Sequence, residues 1–235
     1  MRSLPYKFIY FDLDDTLLDH RAAERAGLAD VYAHFSFLNE VEPEALFDTY
    51  REVNSVQWSQ YSRKQITRRQ LQRNRFEQTL QQLELDASRY EELGRYYMGC
   101  YRNHWQWMEG AKEVFDRIRD QYPVGILTNG FTETQQKKFE AFNLYQTADR
   151  TVISEEVGVL KPDPGVFEYA TQKSDVAPAE ILYVGDSFSS DIKGGANYGW
   201  NTAWFTQNGE AAKHRKADFV FNDFNDLADI LKVQG

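Results

Sequence analysis

The order of patterns along this 235-residue chain predicts an α/β fold, a mostly parallel sheet with helices on both faces and one all-helical insert. Three observations carry that expectation. From residue 105 onward, short apolar runs of strand length alternate with helix-period segments. Between Leu18 and Trp105 no strand-like run occurs and the periodicity is helical. Three of the strand-like runs end on residues that carry chemistry, Asp12, Thr128 and Asp186, and parallel sheets bind ligands beyond the carboxyl ends of their strands.

Residues 8–11, Phe-Ile-Tyr-Phe, are an apolar run stopped by Asp12 and read as a buried strand. The next residues, through Leu18, read as a turn. A helix is predicted over 21–38, with Ala23, Ala26 and Ala29 among polar residues. Glu42-Pro43-Glu44 opens a second helix, since proline fits the first helical position and acids favour the first turn. Leu46, Tyr50 and Val53 then recur at helical spacing. Thr67 is placed to cap a third helix with Leu71, Phe76, Leu80 and Leu83 as its apolar positions, and a fourth covers 87–104. These four helices define a domain of residues 19–104, which leaves 1–18 and 105–235 for the α/β core.

Within that core, Val114, Phe115 and Ile118 mark a helix, and a strand over 124–127 is closed by Thr128-Asn129-Gly130. A helix follows over 132–142 with Thr132 as its cap. Strands are predicted at 151–153, 181–184 and 202–205, with a short one at 218–221. Pro164 opens one intervening helix, 191–198 forms another despite Gly194 and Gly195, and 225–231 is the last. Crossovers between parallel strands are expected to be right-handed.

Hydrophobic residues make up 42% of the chain and aromatics 15%, enough for a sizeable core. The formal net charge of -9 argues against nucleic acid as a partner. One cysteine, Cys100, permits no internal disulfide and reads as a small buried hydrophobe. No signal peptide or membrane-spanning run is legible, so a cytoplasmic location without membrane association is the expectation. The pattern fixes no oligomeric state. Gly-x-Gly-x-x-Gly after the first strand, a Gly-Lys-Ser/Thr phosphate loop and a Gly-x-Ser-x-Gly elbow are all missing. One cysteine and four scattered histidines do not make a zinc site.

What remains is acidic. Asp12 and Asp14 lie two apart at one strand end, and Asp186 and Asp191 flank the loop after another. Carboxylates brought together repel and raise one another's pKa, and a hard divalent cation resolves that, with oxygen-rich sites selecting Mg²⁺. Thr128-Asn129-Gly130 offers a hydroxyl and backbone N–H groups ahead of a helix, which suits a phosphate oxygen. Lys161, in a Lys-Pro loop, would neutralise phosphate or nucleophile charge.

In those segments the chain resembles the haloacid-dehalogenase superfamily over essentially its whole length. Asp12-Leu13-Asp14-Asp15-Thr16 looks like the first motif and Thr128-Asn129-Gly130 the second. Lys161-Pro162-Asp163-Pro164 looks like the third, and Gly185-Asp186-Ser187 with Asp191 the fourth. The insert resembles the helical cap of subfamily I. A narrower resemblance, to the pyrimidine 5'-nucleotidase group, rests on Ile126-Leu127-Thr128-Asn129-Gly130-Phe131, on Val152-Ile153-Ser154-Glu155-Glu156-Val157-Gly158, and on the layout of segment 65–85. The resemblance implies a Rossmann-like core with strand order 5-4-1-2-3. It implies Asp12 as nucleophile, forming an aspartyl-phosphate, and Asp14 as general acid/base. Mg²⁺ would be held by Asp12, the backbone carbonyl of Asp14 and Asp186, with Asp191 acting through water or by orienting Lys161. Thr128, the Asn129 N–H and Lys161 would hold the transferring oxygens. Dehalogenases of the superfamily lack an acid at the position of Asp14, so the resemblance favours phosphate-ester hydrolysis.

The implied partner is a small phosphorylated metabolite, a nucleoside 5'-monophosphate on the narrower resemblance. Discrimination would fall to a mobile cap, with Gln57, Trp58, Tyr61, Arg69 and Arg75 as candidates and Trp58, Arg69 and Arg75 foremost. One alternative is a phosphoglycolate or sugar-phosphate phosphatase, or a phosphomutase, with the same machinery. Another is a non-enzymatic scaffold or nucleic-acid-associated protein, suggested by Arg63, Lys64, Arg68, Arg69, Arg73 and Arg75, a stretch that no acid interrupts. On a helix, Lys64, Arg68 and Arg75 would share one face, with Arg69 and Arg73 elsewhere.

Overall fold

Four residues set the position of the site. In β1 (Phe8–Phe11) every side chain is buried, Ile9, Tyr10 and Phe11 completely. A strand buried on both faces belongs in the middle of a parallel sheet. The computed structural model describes residues 6–206 and 217–233. It shows a six-stranded sheet in the order β3-β2-β1-β4-β5-β6, with each neighbouring pair parallel.

After β1 the chain enters four helices: α1 (His20–His34), α2 (Pro43–Ser62), α3 (Arg68–Gln82) and α4 (Tyr90–Asn103). It then runs through α5 (Ala111–Arg119), β2 (Val124–Thr128), α6 (Thr132–Ala141), α7 (Leu144–Thr147) and β3 (Arg150–Ile153). Next come α8 (Ser154–Val157), α9 (Pro164–Ser174), β4 (Ile181–Gly185) and α10 (Lys193–Tyr198). The chain closes with β5 (Asn201–Phe205), β6 (Phe219–Phe221) and α11 (Phe224–Leu231). Two compact units result, Met1–Asp19 with Trp107–Gly235 and His20–Gln106. The first is the α/β core and the second the inserted all-helical cap domain. No described helix is long and apolar enough to cross a membrane.

The sheet separates two apolar layers because successive side chains point to opposite faces. Ile9 and Phe11 pack with Val114 and Phe115 of α5 and with Leu227 and Leu231 of α11. Phe8 and Tyr10 pack with Val166 and Phe167 of α9 and with Trp200. The helical unit has a core of its own from all four helices, including Leu28, Tyr50, Phe76 and Tyr97. Cys100 is a buried free thiol.

The structure differs from the sequence reading in a few places. β6 extends the expected five-strand order by one strand beyond β5. The first helix stops at His34, and Ser36–Glu40 form a separate 3₁₀ turn. Thr67 does cap α3, in a reciprocal capping box with Gln70. Thr132 does not cap α6. It is the first residue of that helix, and its N–H donates to Glu155 Oε2 at 2.7 Å, so a carboxylate from α8 satisfies that end of the helix.

Candidate active site

Register builds the site. Phe11 sits beside Ile126 of β2 and Val184 of β4, so Asp12, Thr128 and Asp186 lie one or two residues further along three adjacent strands. The Asp12 N–H donates to the Val184 carbonyl at 2.8 Å, which extends the sheet bonding by one residue and fixes the Asp12 backbone.

Asp12, Asp186 and Asp191 each offer a carboxylate oxygen within 4.8 Å of the others. Asp191 is fully buried, in a wide π-type turn over Phe188–Ile192. Its Oδ2 accepts the Ser187 N–H at 2.9 Å, and its Oδ1 accepts the Ser190 hydroxyl at 3.2 Å. Gly185 is required beside it, because a Cβ there would fall 2.6 Å from Asp191 Oδ2. Lys161 enters from the loop before α9 and is 2% exposed. Its ammonium lies 2.6 Å from Asp12 Oδ1 and 2.8 Å from Asp191 Oδ1, and it also donates to the Leu127 carbonyl at 3.0 Å.

One ammonium against three carboxylates leaves the cluster negative. Burial, offset in part by Lys161 and reinforced by Asp191 and Asp14, pushes the Asp12 carboxyl up to about 7. Burial works against the charge on Lys161, but Asp12 and Asp191 outweigh it and hold the ammonium above its usual range. A surplus of hard oxygen donors, two of the three buried, fits a divalent cation of the Mg²⁺ type, which accepts few protein ligands.

Asp14 points to different partners. Its Oδ1 accepts from Lys138 Nζ at 2.5 Å and its Oδ2 from Gln135 Nε2 at 3.1 Å. The same Gln135 nitrogen donates to Thr128 Oγ1 at 2.7 Å, so α6 ties Asp14 and Thr128 together. The Asn129 side chain acts as a brace. Its Oδ1 accepts the Lys161 N–H at 2.9 Å and the Ser154 hydroxyl at 2.6 Å, and its Nδ2 donates to the Lys161 carbonyl at 3.0 Å.

The structure therefore brings together Asp12, Asp14, Thr128, Asn129, Lys161, Asp186 and Asp191. It adds three residues that the sequence reading missed. Lys138 and Gln135 hold Asp14. Tyr183 accepts from Lys161 at 2.6 Å and donates to the Leu127 carbonyl at 2.8 Å. A signal for the first two existed. Phe131, Gln135, Lys138, Phe139 and Phe142 form one helical stripe, and a lysine on the apolar stripe of a helix requires a buried partner.

The three foremost cap candidates do not form one surface. Trp58, half-buried on α2, meets Tyr61 edge-on at 5.8 Å. Arg69 and Arg75 line a groove between α3 and α4, and Trp58 is not among the residues lining it. The expected basic face of Lys64, Arg68 and Arg75 is also corrected. Lys64 precedes the helix in a left-handed turn, and Arg75 is buried on the stripe that carries Leu71.

A largely buried acidic cluster at the carboxyl ends of adjacent parallel strands, neutralised in part by one lysine and flanked by a separately held aspartate, defines a hydrolase site. Residues 6–199 match the haloacid dehalogenase-like hydrolases, and the chain belongs to that family. It is similar to the pyrimidine 5'-nucleotidase YjjG of Escherichia coli, 33% identical over 214 residues, 91% of this chain and 89% of the relative. It is also similar to the pyrimidine 5'-nucleotidase PynA of Streptococcus pneumoniae, 28% identical over 96% of this chain and 95% of the relative. Among solved structures, the magnesium-bound HAD-hydrolase YfnB of Bacillus subtilis superposes with a TM-score of 0.84 at 25% identity, covering 97% of this chain and 99% of that one.

Proposed function

We propose that this enzyme is a Mg²⁺-dependent phosphomonoesterase that works through an aspartyl-phosphate on Asp12, with nucleoside 5'-monophosphates as its substrate class. The observation that carries the chemistry is the division of labour between two aspartates two residues apart. Asp12 is buried against Lys161, whereas Asp14 is held by Lys138 and Gln135 and is 25% exposed. Two carboxylates in unlike surroundings suit unlike roles.

In this reading an Asp12 oxygen attacks phosphorus, and Asp14, having taken up a proton from solvent before the attack, gives it to the departing alkoxide. Asp14 then takes a proton from the water that attacks the aspartyl-phosphate, which releases phosphate and restores Asp12. Lys161, Thr128 Oγ1 and the Asn129 N–H bind the phosphoryl oxygens as charge shifts onto them. Asp191 orients Lys161. Asp12, Asp186 and the Asp14 backbone carbonyl would hold Mg²⁺, which supplies Lewis-acid charge to those oxygens.

The nucleotide assignment is supported by the two pyrimidine nucleotidases that align with nearly the whole chain. The phosphate end treats all monoesters alike, so discrimination is assigned to the helical unit, with Trp58 as the residue offered to a base. The test is a panel of UMP, dUMP, TMP, sugar phosphates and p-nitrophenyl phosphate, each with Mg²⁺ and with EDTA. Metal-dependent turnover favouring the pyrimidine nucleotides is expected, with Trp58→Ala lowering the ratio of UMP to p-nitrophenyl phosphate. A preference for a sugar phosphate would remove the nucleotide assignment. Turnover insensitive to EDTA would remove the metal.

A further inference from the structure

The groove between α3 and α4 has no part in the chemistry above. It encloses about 790 Å³ and lies wholly within the helical unit. Five arginines line it, Arg69, Arg73, Arg75, Arg95 and Arg102, against a single acid, Glu91. That is a concentrated cationic surface on a chain whose net charge is -9.

Two of the five are already partnered. Arg73 grips Glu77 through two hydrogen bonds, of 2.8 and 2.6 Å, and Arg95 lies 3.6 Å from Glu91. Arg69, Arg75 and Arg102 form no ion pair among the described residues. For Arg69 and Arg102, both exposed, water suffices.

Arg75 is the informative one. It is only 9% exposed, and its Nε has no hydrogen-bond partner. One terminal nitrogen reaches the Met98 sulfur, at 3.4 Å, a weak acceptor, and the neutral Tyr50 hydroxyl is the other polar neighbour of the guanidinium. The guanidinium otherwise lies against ring faces, 5.1 Å from Phe76 and 5.8 Å from Tyr97. Burying a guanidinium without a carboxylate is costly, and cation–π contacts recover only part of that cost. An anion entering the groove would supply the missing acceptor. Guanidinium forks match phosphate oxygens in pairs, and three unpaired arginines match a ligand carrying about three negative charges.

We propose that this groove is a binding site for small oligophosphates, ligands with two or three linked phosphates. A nucleoside diphosphate and an inorganic oligophosphate share that chemistry. The site is independent of the catalytic reading, because none of its residues belongs to the α/β core.

Calorimetry on the full chain in Mg²⁺-free buffer tests it, with inorganic tripolyphosphate, ADP and inorganic phosphate as separate probes. Without metal, the acidic cluster around Asp12 repels polyanions, so the groove is read alone. Saturable tripolyphosphate binding near one per chain is expected, retained in D12N and weakened at least tenfold in the charge reversal R69E/R102E. Both reversed positions are exposed, and circular dichroism should show the double variant folded as the parent is. R75M should bind more weakly still, and the double variant decides the matter if R75M does not fold. ADP binding more tightly than tripolyphosphate would identify the nucleotide as occupant, and equal or weaker ADP binding would identify the phosphate chain alone. Three results would overturn the proposal: no saturable binding of either oligophosphate, binding unchanged in R69E/R102E, or inorganic phosphate binding as tightly as tripolyphosphate.

Discussion

The α/β core and the helical unit treat buried positive charge in opposite ways. In the core, each of the two fully buried lysines among the described residues ends on carboxylates, Lys161 on Asp12 and Asp191, and Lys138 on Asp14. In the helical unit, buried Arg75 ends on a thioether, two aromatic rings and the neutral Tyr50 hydroxyl. The core has assembled its charges before any ligand arrives, which is the arrangement that electrostatic catalysis requires, because no reorganisation remains to be done during reaction. The helical unit keeps a buried guanidinium whose Nε has no hydrogen-bond partner among the described residues.

Four sets of experiments can break or sharpen that contrast. The largest effect is expected at the nucleophile. Asp12→Asn should lower kcat by at least about 10⁴-fold with the fold intact, since the carboxamide cannot form the acyl-phosphate. Circular dichroism and steady-state turnover check both halves, and near-parental turnover would show that Asp12 does not attack.

Next comes the pair that Lys138 and Gln135 hold. Asp14→Asn should cost about 10²- to 10⁴-fold in kcat, the usual range for a general acid/base, while substrate still binds. Lys138→Met removes the clamp and keeps the acid. A kcat loss of about tenfold or more is expected, larger for alkyl esters such as UMP than for p-nitrophenyl phosphate, whose good leaving group needs little protonation. An equal loss on both esters would reduce Lys138 to a structural residue.

The metal ligands should separate in direction. Asp186→Asn should raise the Mg²⁺ concentration needed for half-maximal rate by about tenfold or more, and Asp191→Asn by less, because Asp191 is engaged with Lys161, Ser187 and Ser190. Asp191→Asn should act mainly on kcat. A Mg²⁺ titration of both variants measures this, and the reverse order would exchange their roles.

The smallest effect is a displacement along the pH axis. Burial raises the Asp12 carboxyl to about 7 in the metal-free site, and only the ionised form attacks. At low Mg²⁺, kcat/KM should therefore rise as pH increases through about 7. A bound dication favours the carboxylate, so added Mg²⁺ should move the midpoint to lower pH. A midpoint that ignores Mg²⁺ would place the titration on another group.

Most of the candidate site was legible because it is local. Asp12, Thr128 and Asp186 each follow a short apolar run, and a parallel sheet brings strand ends together without further information. The order of strands around β1 came from resemblance alone. The sixth strand was legible only as a short run at 218–221, because a three-residue edge strand carries little pattern. Lys138 escaped because a lysine in a polar helix is ordinarily solvated, although the stripe it shares with Phe131 and Phe139 marked it as buried. Arg75 was assigned to an exposed basic face for the same reason, when Leu71 one turn before it already indicated the buried side. Tyr183 looked like one more aromatic in a buried strand. Its hydroxyl, bonded to Lys161 and Leu127, is legible only in three dimensions.

The central claim, covalent catalysis by Asp12, is tested most directly by trapping the phosphoenzyme. Protein mixed with ³²P-labelled UMP and Mg²⁺ would be quenched in acid within the first turnover, digested and mapped. The account predicts up to one phosphate per chain on the peptide containing Asp12, released by hydroxylamine as an acyl-phosphate is, and absent from D12N. Label on a different residue, or turnover by a protein that never carries covalent phosphate, would contradict it.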